Sequence, residues 1–508
     1  MVHPTYAGCW LTEPIANLVG LPIDQFNFMS CQFLGIFFGL FFHLKLQPPD
    51  TSPTLRHIYC LVVGLTTLWF CNGWETWHLV LQSSVCYIMM NTFPPQIMHM
   101  CVLIFSLGYL VAMCLYRYLL PEDMQFLDIT FPCTVSVQKL SSLAFSITDY
   151  HRYKLDSSCL TDAQRKRVIS RPPNLLKFFS YMFYFQGILA GPFTFYNDYI
   201  DFIDGRHITS RLETKDDDKK PLVDPKSISP LRVVFYKCVM LGAWVYLYLH
   251  VSCVLVPTTY NADPDFIQRH TVIYRLGYMY LSMLCHRSRY FLTWTLADIV
   301  YNASGYGFNG LDASGNAKWD MLTNIRVEKI ETATSFKTFI DNWNIQTTKW
   351  LRYVCYERAP FLRTHLTYIL SAVWHGVYPG FYCTFLSAIW FTLAGRKIRR
   401  NIRPHFQESA GMRALYEVLT WFGTQLPMAY IVLPFTYLNV APFITFYNSV
   451  FWCFHVLVAV ILLIPFDSKQ ARHRQDPTKT STPQTEVTSD PGRLSNGNSQ
   501  RNSTQDTS

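Results

Sequence analysis

Several patterns that identify common enzyme classes are missing from this sequence of 508 residues. Its fifteen cysteines are scattered without a C-x-x-C pair, and we therefore expect neither a disulfide framework nor a thiolate metal site. Its fifteen histidines contain no H-x-x-x-H pair, which argues against a zinc protease. The first 25 residues contain no Lys or Arg and no small-residue cleavage site, so we expect no cleavable signal peptide.

Long apolar stretches are what the sequence has instead. Hydrophobic residues make up 50% of the chain. Runs of about 18 residues or more, enough to cross a hydrocarbon core of ~30 Å, recur from Phe26 almost to Phe466. We therefore predict an all-α polytopic membrane protein with about 10–11 transmembrane helices. The spans that can be placed are Phe26–Leu46, His57–Trp74, Trp77–Phe93, Ile97–Leu120, Leu127–Tyr150, Val233–Val256, Thr271–Cys285 and about two or three more between Leu415 and Phe466.

The basic residues indicate how the chain crosses the membrane. The net charge of +9 comes from short clusters between apolar runs and not from a basic domain that would bind nucleic acid. Lys and Arg are concentrated in His151–Arg171 and Arg396–Arg403, which the positive-inside rule places in the cytoplasm. We expect a lumenal N-terminal segment (1–25), a membrane domain (26–466) and a disordered cytoplasmic tail (467–508), since the tail has no aromatic residue and few aliphatic ones.

Two segments interrupt the helical pattern. The pair Gly191-Pro192 lies inside the apolar block Leu175–Phe202 and breaks a helix, because proline lacks the backbone N–H group. The break marks either a re-entrant segment that lines a cavity or a helix that ends at the interface, with its tyrosines in an aromatic belt. Asn302–Lys329 is polar and rich in glycine. Its G-x-G-x-x-G match at Gly305 lacks the βαβ context of a dinucleotide site, so we expect an extramembrane loop that covers an entrance.

Asn344 and His375 are hydrogen-bonding side chains in apolar and aromatic surroundings, where an unpartnered polar group costs about 1–3 kcal/mol. Their separation of 375 − 344 = 31 residues suits two neighbouring helices and not one helix face. A neutral histidine can take a proton from an attacking hydroxyl, and an asparagine amide can hold a reacting group or donate to an oxyanion. The pair suits acyl transfer to an alcohol. A packed histidine and an asparagine that joins two helices are the competing interpretations.

The residues around this pair resemble a known family. Trp374–Gly380 follows the pattern W-H-G-x-x-P-G, and Trp343–Thr347 has the sequence W-N-I-Q-T. Together with Ala190–Phe193 and Glu331–Lys337, these motifs resemble the membrane-bound O-acyltransferase family over nearly the whole chain. The sequence is most similar to its lysophospholipid acyltransferases. Phe339–Asn344 departs from the F-Y-x-D-W-W-N pattern of the sterol and diacylglycerol branch, which disfavours that branch.

The resemblance implies that His375 and Asn344 are catalytic and that the helical fold encloses a cavity in the endoplasmic reticulum membrane. Acyl-CoA would enter from the cytoplasm as co-substrate, with no cofactor and no metal. Lysophosphatidylethanolamine, lysophosphatidylserine or lysophosphatidylcholine would enter from the bilayer. His375 would deprotonate the free sn-2 hydroxyl as it attacks the thioester, and Asn344 would orient the reacting groups or stabilise the oxyanion.

Basic residues near the pair are candidates for contacts with the polyanionic coenzyme A. We select Lys337, Lys349, Arg352 and Arg396, although the same residues could set the topology or contact lipid phosphates. Two other functions are also compatible with a polytopic protein of this kind. A protein or peptide O-acyltransferase would share the fold. A transporter would be indicated by repeated halves with matching broken helices, which we do not find in the sequence.

Overall fold

The chain is built from α-helices, as its apolar pattern predicts. The computed structural model describes residues 6–48, 50–120, 129–212 and 228–465. Within these ranges there is no strand, and an isolated β-bridge joins Leu311 to Ala317. One compact unit extends to Leu463. The tail predicted at 467–508 lies outside the described residues, so its disorder stays a prediction.

The described residues contain the following helices in chain order. The first group is α1 (Glu13–Val19), α2 (Ile23–Lys45), α3 (Pro53–Asn72), α4 (Thr76–Thr92), α5 (Pro95–Tyr118), α6 (Thr130–Leu155), α7 (Asp162–Arg165), α8 (Leu175–Phe183), α9 (Tyr196–Ile203), α10 (Arg206–Leu212) and α11 (Leu231–Tyr246). The second group is α12 (Pro264–Arg269), α13 (Val272–His286), α14 (Ser288–Ala303), α15 (Val327–Glu331), α16 (Phe336–Asn342), α17 (Ile345–Leu351), α18 (Arg363–His375), α19 (Pro379–Ile402), α20 (Ala410–Tyr437), α21 (Val440–Ser449) and α22 (Cys453–Leu463). The π-helical segments Leu247–Leu255 and Arg352–Tyr356 extend α11 and α17.

Several of these helices have the length and apolar surface of membrane spans. Large apolar side chains on their outer faces are exposed, for example Phe37 (67%), Ile104 (65%) and Phe235 (73%), and such a surface requires lipid. α21 and α22 meet at a bend of 72° and together form one further candidate span. These features confirm an all-helical polytopic membrane protein. The five individual stretches found in the described residues are Ile23–Lys45, Pro53–Thr92, Pro95–Tyr118, Leu231–Ala262 and Ala410–Tyr437.

The helix α6 has a more polar composition than these spans because protein encloses it. Nearly all its side chains from Thr130 to Asp149 are buried, and α4, α5, α8 and α17 pack against it. Its polar groups find partners there: Ser136 Oγ donates to a glutamine oxygen of α4 at 2.7 Å, and Lys139 Nζ donates to Met182 O at 3.0 Å. A helix without contact to lipid needs no continuous apolar surface. The described residues contain five or six candidate spans, fewer than the predicted 10–11 crossings, so that number stays a prediction.

The predicted Gly-Pro break lies inside the protein. The segment Tyr184–Phe195 connects α8 to α9 without regular helix, and tyrosine hydroxyls satisfy its carbonyl groups. Tyr181 donates to Thr194 O at 2.7 Å, and Tyr301 donates to Pro192 O at 2.9 Å. Within the block itself, Tyr181, Tyr196 and Tyr199 are buried, which is unlike an aromatic belt at an interface. Burial in protein favours the re-entrant alternative, which stays a prediction.

The glycine-rich segment 304–326 forms a loop, as predicted, and its base is tied to two helices. Lys237 Nζ on α11 donates to Asp298 Oδ2 on α14 at 2.7 Å and to Trp319 O at 3.3 Å. Thr323 Oγ1 donates to the same carboxylate at 2.9 Å. Asp298 is buried, so water screens these bonds little. The loop is thereby held against α11 and α14.

Candidate active site

His375 is the last residue of α18, and the backbone geometry at this junction explains the surrounding motif. Gly376 follows with φ 123° and ψ −158°, a conformation that glycine adopts readily and other residues do not. Pro379 starts α19, where its fixed φ and missing N–H group are tolerated. A Cβ atom on Gly380 would lie 2.1 Å from Pro434 O, so the close contact between α19 and α20 requires glycine. The glycines and the proline of the motif thus build the turn that presents His375.

Aromatic rings surround the imidazole of His375. The ring centroids of Trp374, Phe381, Phe385 and Phe435 lie 4.6, 5.6, 5.1 and 5.0 Å from its own. The side chain is nevertheless only half-buried, and within the described residues neither ring nitrogen has a hydrogen-bond partner. A packed histidine would bond a carbonyl or hydroxyl group, because an unpaired buried nitrogen costs about 1–3 kcal/mol. The nitrogens of His375 are accessible to a bound substrate instead.

Asn344 lies at the tight junction between α16 and α17. Its backbone is left-handed, with φ 48° and ψ 53°, a region that asparagine enters more readily than most residues. Its side-chain Oδ1 accepts a hydrogen bond from Asn324 Nδ2 at 3.1 Å. The side chain is half-buried and makes no other hydrogen bond in the described part of the chain. The amide therefore keeps donor groups that a ligand can use.

The helix α6 anchors both junctions. Trp374 Nε1, next to His375, donates to Thr134 O at 2.9 Å. Trp350 Nε1, on the helix that begins after Asn344, donates to Ser141 Oγ at 2.9 Å. The two indole rings are 5.9 Å apart. Two candidate catalytic segments that are distant in sequence therefore attach to one buried helix, although no direct hydrogen bond joins the Asn344 and His375 side chains among the described residues.

A charged cavity of about 240 Å³ lies beside α17. The Gly-Pro segment contributes Thr194 and Phe195 to its wall, and the glycine-rich loop contributes Asn309 and Met321. Both irregular segments therefore line an internal space, as the sequence suggested. Cations outnumber anions in the wall, which favours a polyanionic ligand. The charged residues are Arg167, Arg211, Arg326, Lys349, Asp198 and Asp320.

Two of the cavity arginines face carboxylates. Arg326 pairs with Asp320 at 2.9 Å, and Arg167 lies 3.6 Å from Asp198. Burial acts to raise the pKa of Asp320, but hydrogen bonds from Asn309 and Arg326 outweigh it and hold the pKa below its ordinary value. The two hydrogen bonds therefore keep Asp320 ionised. These carboxylates order the arginines and offset part of their charge.

The other two cations, Lys349 and Arg211, form no ion pair within the described residues. Lys349 Nζ donates to Gln346 Oε1 at 3.1 Å, and Arg211 Nη1 donates to His207 O at 2.6 Å. Lys349 is exposed, and partial burial of its amine lowers its pKa, because a charged amine is less stable where protein replaces part of its water. A bound anion would offset this effect, so Lys349 is suited to contact a phosphate.

The four basic residues that the sequence suggested for coenzyme A lie in different surroundings in the structure. Lys349 lines the charged cavity. Lys337 and Arg352 are exposed, and each forms an ion pair with a carboxylate close to it in sequence. Arg396 lies on α19, where it donates to Thr364 Oγ1 at 3.3 Å. Lys337, Arg352 and Arg396 are not part of the cavity wall.

Sequence reasoning missed Arg167, Arg211, Arg326 and Asn324. Arg167 belongs to the basic segment His151–Arg171, which we interpreted only as a topology signal. Arg326 could have been selected from the sequence. We expected the glycine-rich loop to cover an entrance, and the polar side chains of such a loop can face that entrance. No local signal identifies Asn324, because its contact with Asn344 joins positions 20 residues apart.

Comparison with known proteins identifies the family of this chain. The model of the membrane-bound O-acyltransferase family matches residues 102–432, a range that contains both junctions. Membrane-bound glycerophospholipid O-acyltransferase 2 of Gallus gallus is 41% identical over 473 residues, which cover 92% of this chain and 90% of that protein. Membrane-bound glycerophospholipid O-acyltransferase 1 of Homo sapiens is 37% identical over 476 residues, with coverage of 93% and 96%.

A third relative is an insect protein. Lysophospholipid acyltransferase 6 of Drosophila melanogaster is 37% identical over 456 residues, which cover 89% of this chain and 62% of that protein. The family match includes more than half of the chain, and the similarity to the relatives extends over most of it. The chain therefore belongs to the membrane-bound O-acyltransferase family and is a membrane acyltransferase.

Proposed function

We propose that this protein transfers a fatty acyl group from acyl-CoA to the free sn-2 hydroxyl group of a lysophospholipid. The observation that carries the proposal is the environment of His375. Its ring lies among aromatic side chains, yet neither nitrogen is bonded within the described residues. An imidazole held in this way can accept a proton from a substrate hydroxyl. A histidine that only packs would have its nitrogens satisfied.

In the proposed reaction, the lysophospholipid oxygen attacks the thioester carbon while a nitrogen of His375 takes the hydroxyl proton. A C–O bond forms, and the former carbonyl oxygen carries the negative charge of the tetrahedral intermediate. When the intermediate collapses, the C–S bond breaks and the imidazolium returns the proton to sulfur. The products are a diacyl phospholipid and the coenzyme A thiol, and His375 ends neutral. This route uses acyl-CoA as co-substrate and forms no acyl-enzyme.

Asn344 acts beside this histidine in the proposal. Its side chain is partly accessible and makes one hydrogen bond within the described residues, to Asn324. A fixed amide near a thioester can orient the carbonyl group or stabilise the oxyanion that forms from it. Removal of one such donor in an enzyme typically costs a factor of about 10²–10³ in kcat.

The charged cavity accommodates the phosphates of coenzyme A in this proposal. Arginine and lysine side chains make strong charge-assisted hydrogen bonds to phosphate oxygens. Lys349 lies on α17, the helix that begins directly after Asn344. Asn344 and His375 do not line this cavity, so the proposal requires the acyl end of a coenzyme A bound at Lys349 to extend from the cavity toward Asn344. Lys337, Arg352 and Arg396 are weaker candidates, since they do not line the cavity.

The names of the relatives support a lipid acceptor. Two of them are named as glycerophospholipid O-acyltransferases and one as a lysophospholipid acyltransferase. We therefore favour a lysophospholipid over a protein or peptide as acceptor. Lysophosphatidylethanolamine, lysophosphatidylserine and lysophosphatidylcholine are the proposed headgroup classes.

An assay of purified protein tests this function. Acyl-CoA is mixed in separate reactions with each of the three lysophospholipids or with a serine-containing peptide, and thiol release and products are measured. We expect release that requires lysophospholipid, with the new acyl chain at sn-2. Release without an acceptor, or acylation of the peptide alone, would contradict the proposal. His375→Ala serves as the inactive variant. His365→Ala, 375 − 365 = 10 residues earlier on the same helix, serves as its active match.

We further propose an endoplasmic reticulum location with a lumenal N-terminus and a cytoplasmic C-terminus. Arg167 lies in the cavity wall and also in the basic segment His151–Arg171. This supports a cavity that opens to the cytoplasm, where acyl-CoA is available. Protease treatment of intact microsomes with tagged termini tests the orientation. A protected C-terminal tag would contradict it.

A further inference from the structure

Asn324 connects the glycine-rich loop to the Asn344 junction through three hydrogen bonds. Its Nδ2 donates to Asn344 Oδ1 at 3.1 Å, and its Oδ1 accepts from the backbone N–H of Gln346 at 3.0 Å. Its backbone carbonyl accepts from the N–H of Ile345 at 2.9 Å. Asn324 is 3% exposed, so little water competes for these bonds. The residue thus uses both ends of its carboxamide on the segment that contains Asn344.

These bonds determine which way each carboxamide faces. The backbone N–H of Gln346 can only donate, so the Asn324 atom beside it must be the acceptor Oδ1. The Asn324 NH2 group then faces Asn344, which must present its own Oδ1. The NH2 group of Asn344 is left on the other side, without a partner among the described residues. A reversed Asn344 amide would bring two NH2 groups together.

Asn324 also performs a task that Asn344 would normally perform. Asn344 is the N-cap residue of α17, and asparagine is a favoured N-cap because its side chain can accept from the first N–H groups of the helix. Asn344 makes no such bond. Asn324 supplies acceptors to Ile345 and Gln346 instead. The Asn344 side chain is thereby released from its structural role.

We infer that Asn324 is a positioning residue that holds the Asn344 carboxamide with its NH2 group directed at the substrate. The inference rests on the proposed function, in which Asn344 acts on the thioester, and it specifies that Asn344 is a hydrogen-bond donor. A donor suits the carbonyl oxygen, which gains negative charge as the tetrahedral intermediate forms. An acceptor in the same place would repel that oxygen.

The substitution Asn324→Asp tests the positioning directly. Aspartate still accepts from Gln346 but cannot donate to Asn344, whose amide would then turn its NH2 group toward position 324 and away from the substrate. We expect kcat to fall by about tenfold or more, with KM values for acyl-CoA and lysophospholipid within about twofold of wild type. In an Asn344→Ala background the same substitution should have little further effect on kcat, since a residue that acts only through Asn344 then has nothing to position.

A second variant keeps the test independent of how well Asn324→Asp folds. Asn344→Asp retains an oxygen acceptor for the Asn324 NH2 group and replaces the NH2 group of residue 344 with a carboxylate oxygen, which cannot donate and which carries a negative charge. We expect kcat to fall by about 10²–10³, as for loss of an oxyanion donor. Asn316→Asp is the matched control: Asn316 is an exposed asparagine at the tip of the same loop, where it contacts Asp312. It should keep wild-type kcat.

The outcomes distinguish this inference from the proposed function. Suppose that Asn344→Ala is inactive, so that the role of Asn344 stands. Wild-type turnover of Asn344→Asp would then overturn the assignment of Asn344 as a donor. Wild-type turnover of folded Asn324→Asp would overturn the positioning by Asn324. If Asn344→Ala itself keeps the wild-type rate, the proposed role of Asn344 fails and the inference fails with it. A fall in kcat for Asn324→Asp that persists in the Asn344→Ala background shows a structural role only and overturns the inference.

Discussion

His375 and His455 are both half-buried among aromatic rings, but their hydrogen bonds differ completely. His455 on α22 has ring centroids of Tyr430, Tyr447 and Trp452 at 5.2 Å each. Its Nε2 lies 3.0 Å from the Ser387 hydroxyl and its Nδ1 lies 2.9 Å from the Tyr430 hydroxyl. His375 has similar aromatic neighbours and no hydrogen-bond partner among the described residues.

The difference is the one that we expect between a packing histidine and the catalytic histidine that we propose. Burial and aromatic contacts are common to both residues, so neither property identifies a catalytic group. Two satisfied nitrogens fix the His455 ring and leave no site for a substrate proton. The two ring nitrogens of His375 have no hydrogen-bond partner among the described residues and are accessible, so a substrate hydroxyl can bond to one of them. Hydrogen-bond satisfaction, and not burial, is therefore the useful criterion.

The largest expected effect is the loss of turnover when the proposed pair is removed. His375→Ala should lower kcat by about 10²–10⁴, and Asn344→Ala by about 10²–10³. Because both residues serve one transition state, the double variant should be little worse than the worse single variant. The measurement is thiol release at saturating substrates with equal amounts of folded protein. Losses that multiply would show that the two residues act independently.

The comparison also predicts the opposite phenotype for His455. His455→Ala leaves the Ser387 and Tyr430 hydroxyls without a partner in a buried site, so the protein should lose about 1–3 kcal/mol of stability. Turnover per folded molecule should stay within about threefold of wild type. Thermal unfolding in detergent and thiol release on the same samples measure both quantities. A large loss of turnover without loss of stability would remove the distinction between the two histidines.

Sequence alone predicted most of the fold because membrane spans are set by a local property. The predicted span Phe26–Leu46 agrees closely with Ile23–Lys45, and Trp77–Phe93 agrees with Thr76–Thr92, since bilayer thickness fixes the length of an apolar helix. The Gly191-Pro192 break was also predictable, because proline acts on its own helix. The enclosed position of α6 was not, since it depends on which helices surround it.

A smaller effect is expected from substitutions in the charged cavity, because they should weaken acyl-CoA binding without changing the chemical step. Lys349→Gln should raise the KM for acyl-CoA about tenfold, equivalent to about 1.4 kcal/mol, with kcat nearly unchanged. Lys337→Gln is the matched control, since Lys337 is exposed and paired with Asp341. It should change KM by less than about twofold. Equal effects of the two substitutions would contradict the assignment of the cavity to coenzyme A.

The smallest predicted effect is a pH dependence of acyl-CoA binding. Burial lowers the pKa of Lys349, so this amine loses its charge at a lower pH than an ordinary lysine. The KM for acyl-CoA should therefore rise as pH increases from about 7 toward the usual lysine pKa of about 10. Lys349→Arg stays charged throughout this range and should flatten the dependence. Identical profiles for wild type and Lys349→Arg would exclude Lys349 from the effect.

The candidate site was only partly predictable for a related reason. Asn344 and His375 stood out because each is polar in an apolar neighbourhood, but the residues alone favoured a packed histidine, and the family resemblance was needed to favour catalysis. The hydrogen bonds at the two ring nitrogens add an observation that the sequence could not supply. Lys337 lies outside the cavity wall, and its (i, i+4) spacing from Asp341 on one helix already indicated the ion pair that the structure shows. Asn324 could not be selected from the sequence, because its proposed role depends on a contact with Asn344 that has no sequence signature.

The most direct test of the account compares His375→Ala with His455→Ala in a single turnover. Each folded variant is first loaded with acyl-CoA and then mixed with lysophospholipid, and release of coenzyme A thiol is followed in time. We predict that His375→Ala binds acyl-CoA with wild-type affinity but releases thiol about 10²–10⁴ times more slowly, whereas His455→Ala releases it at nearly the wild-type rate. A His375→Ala protein that binds acyl-CoA and releases thiol within a few-fold of the wild-type rate would contradict the assignment of His375 as the base.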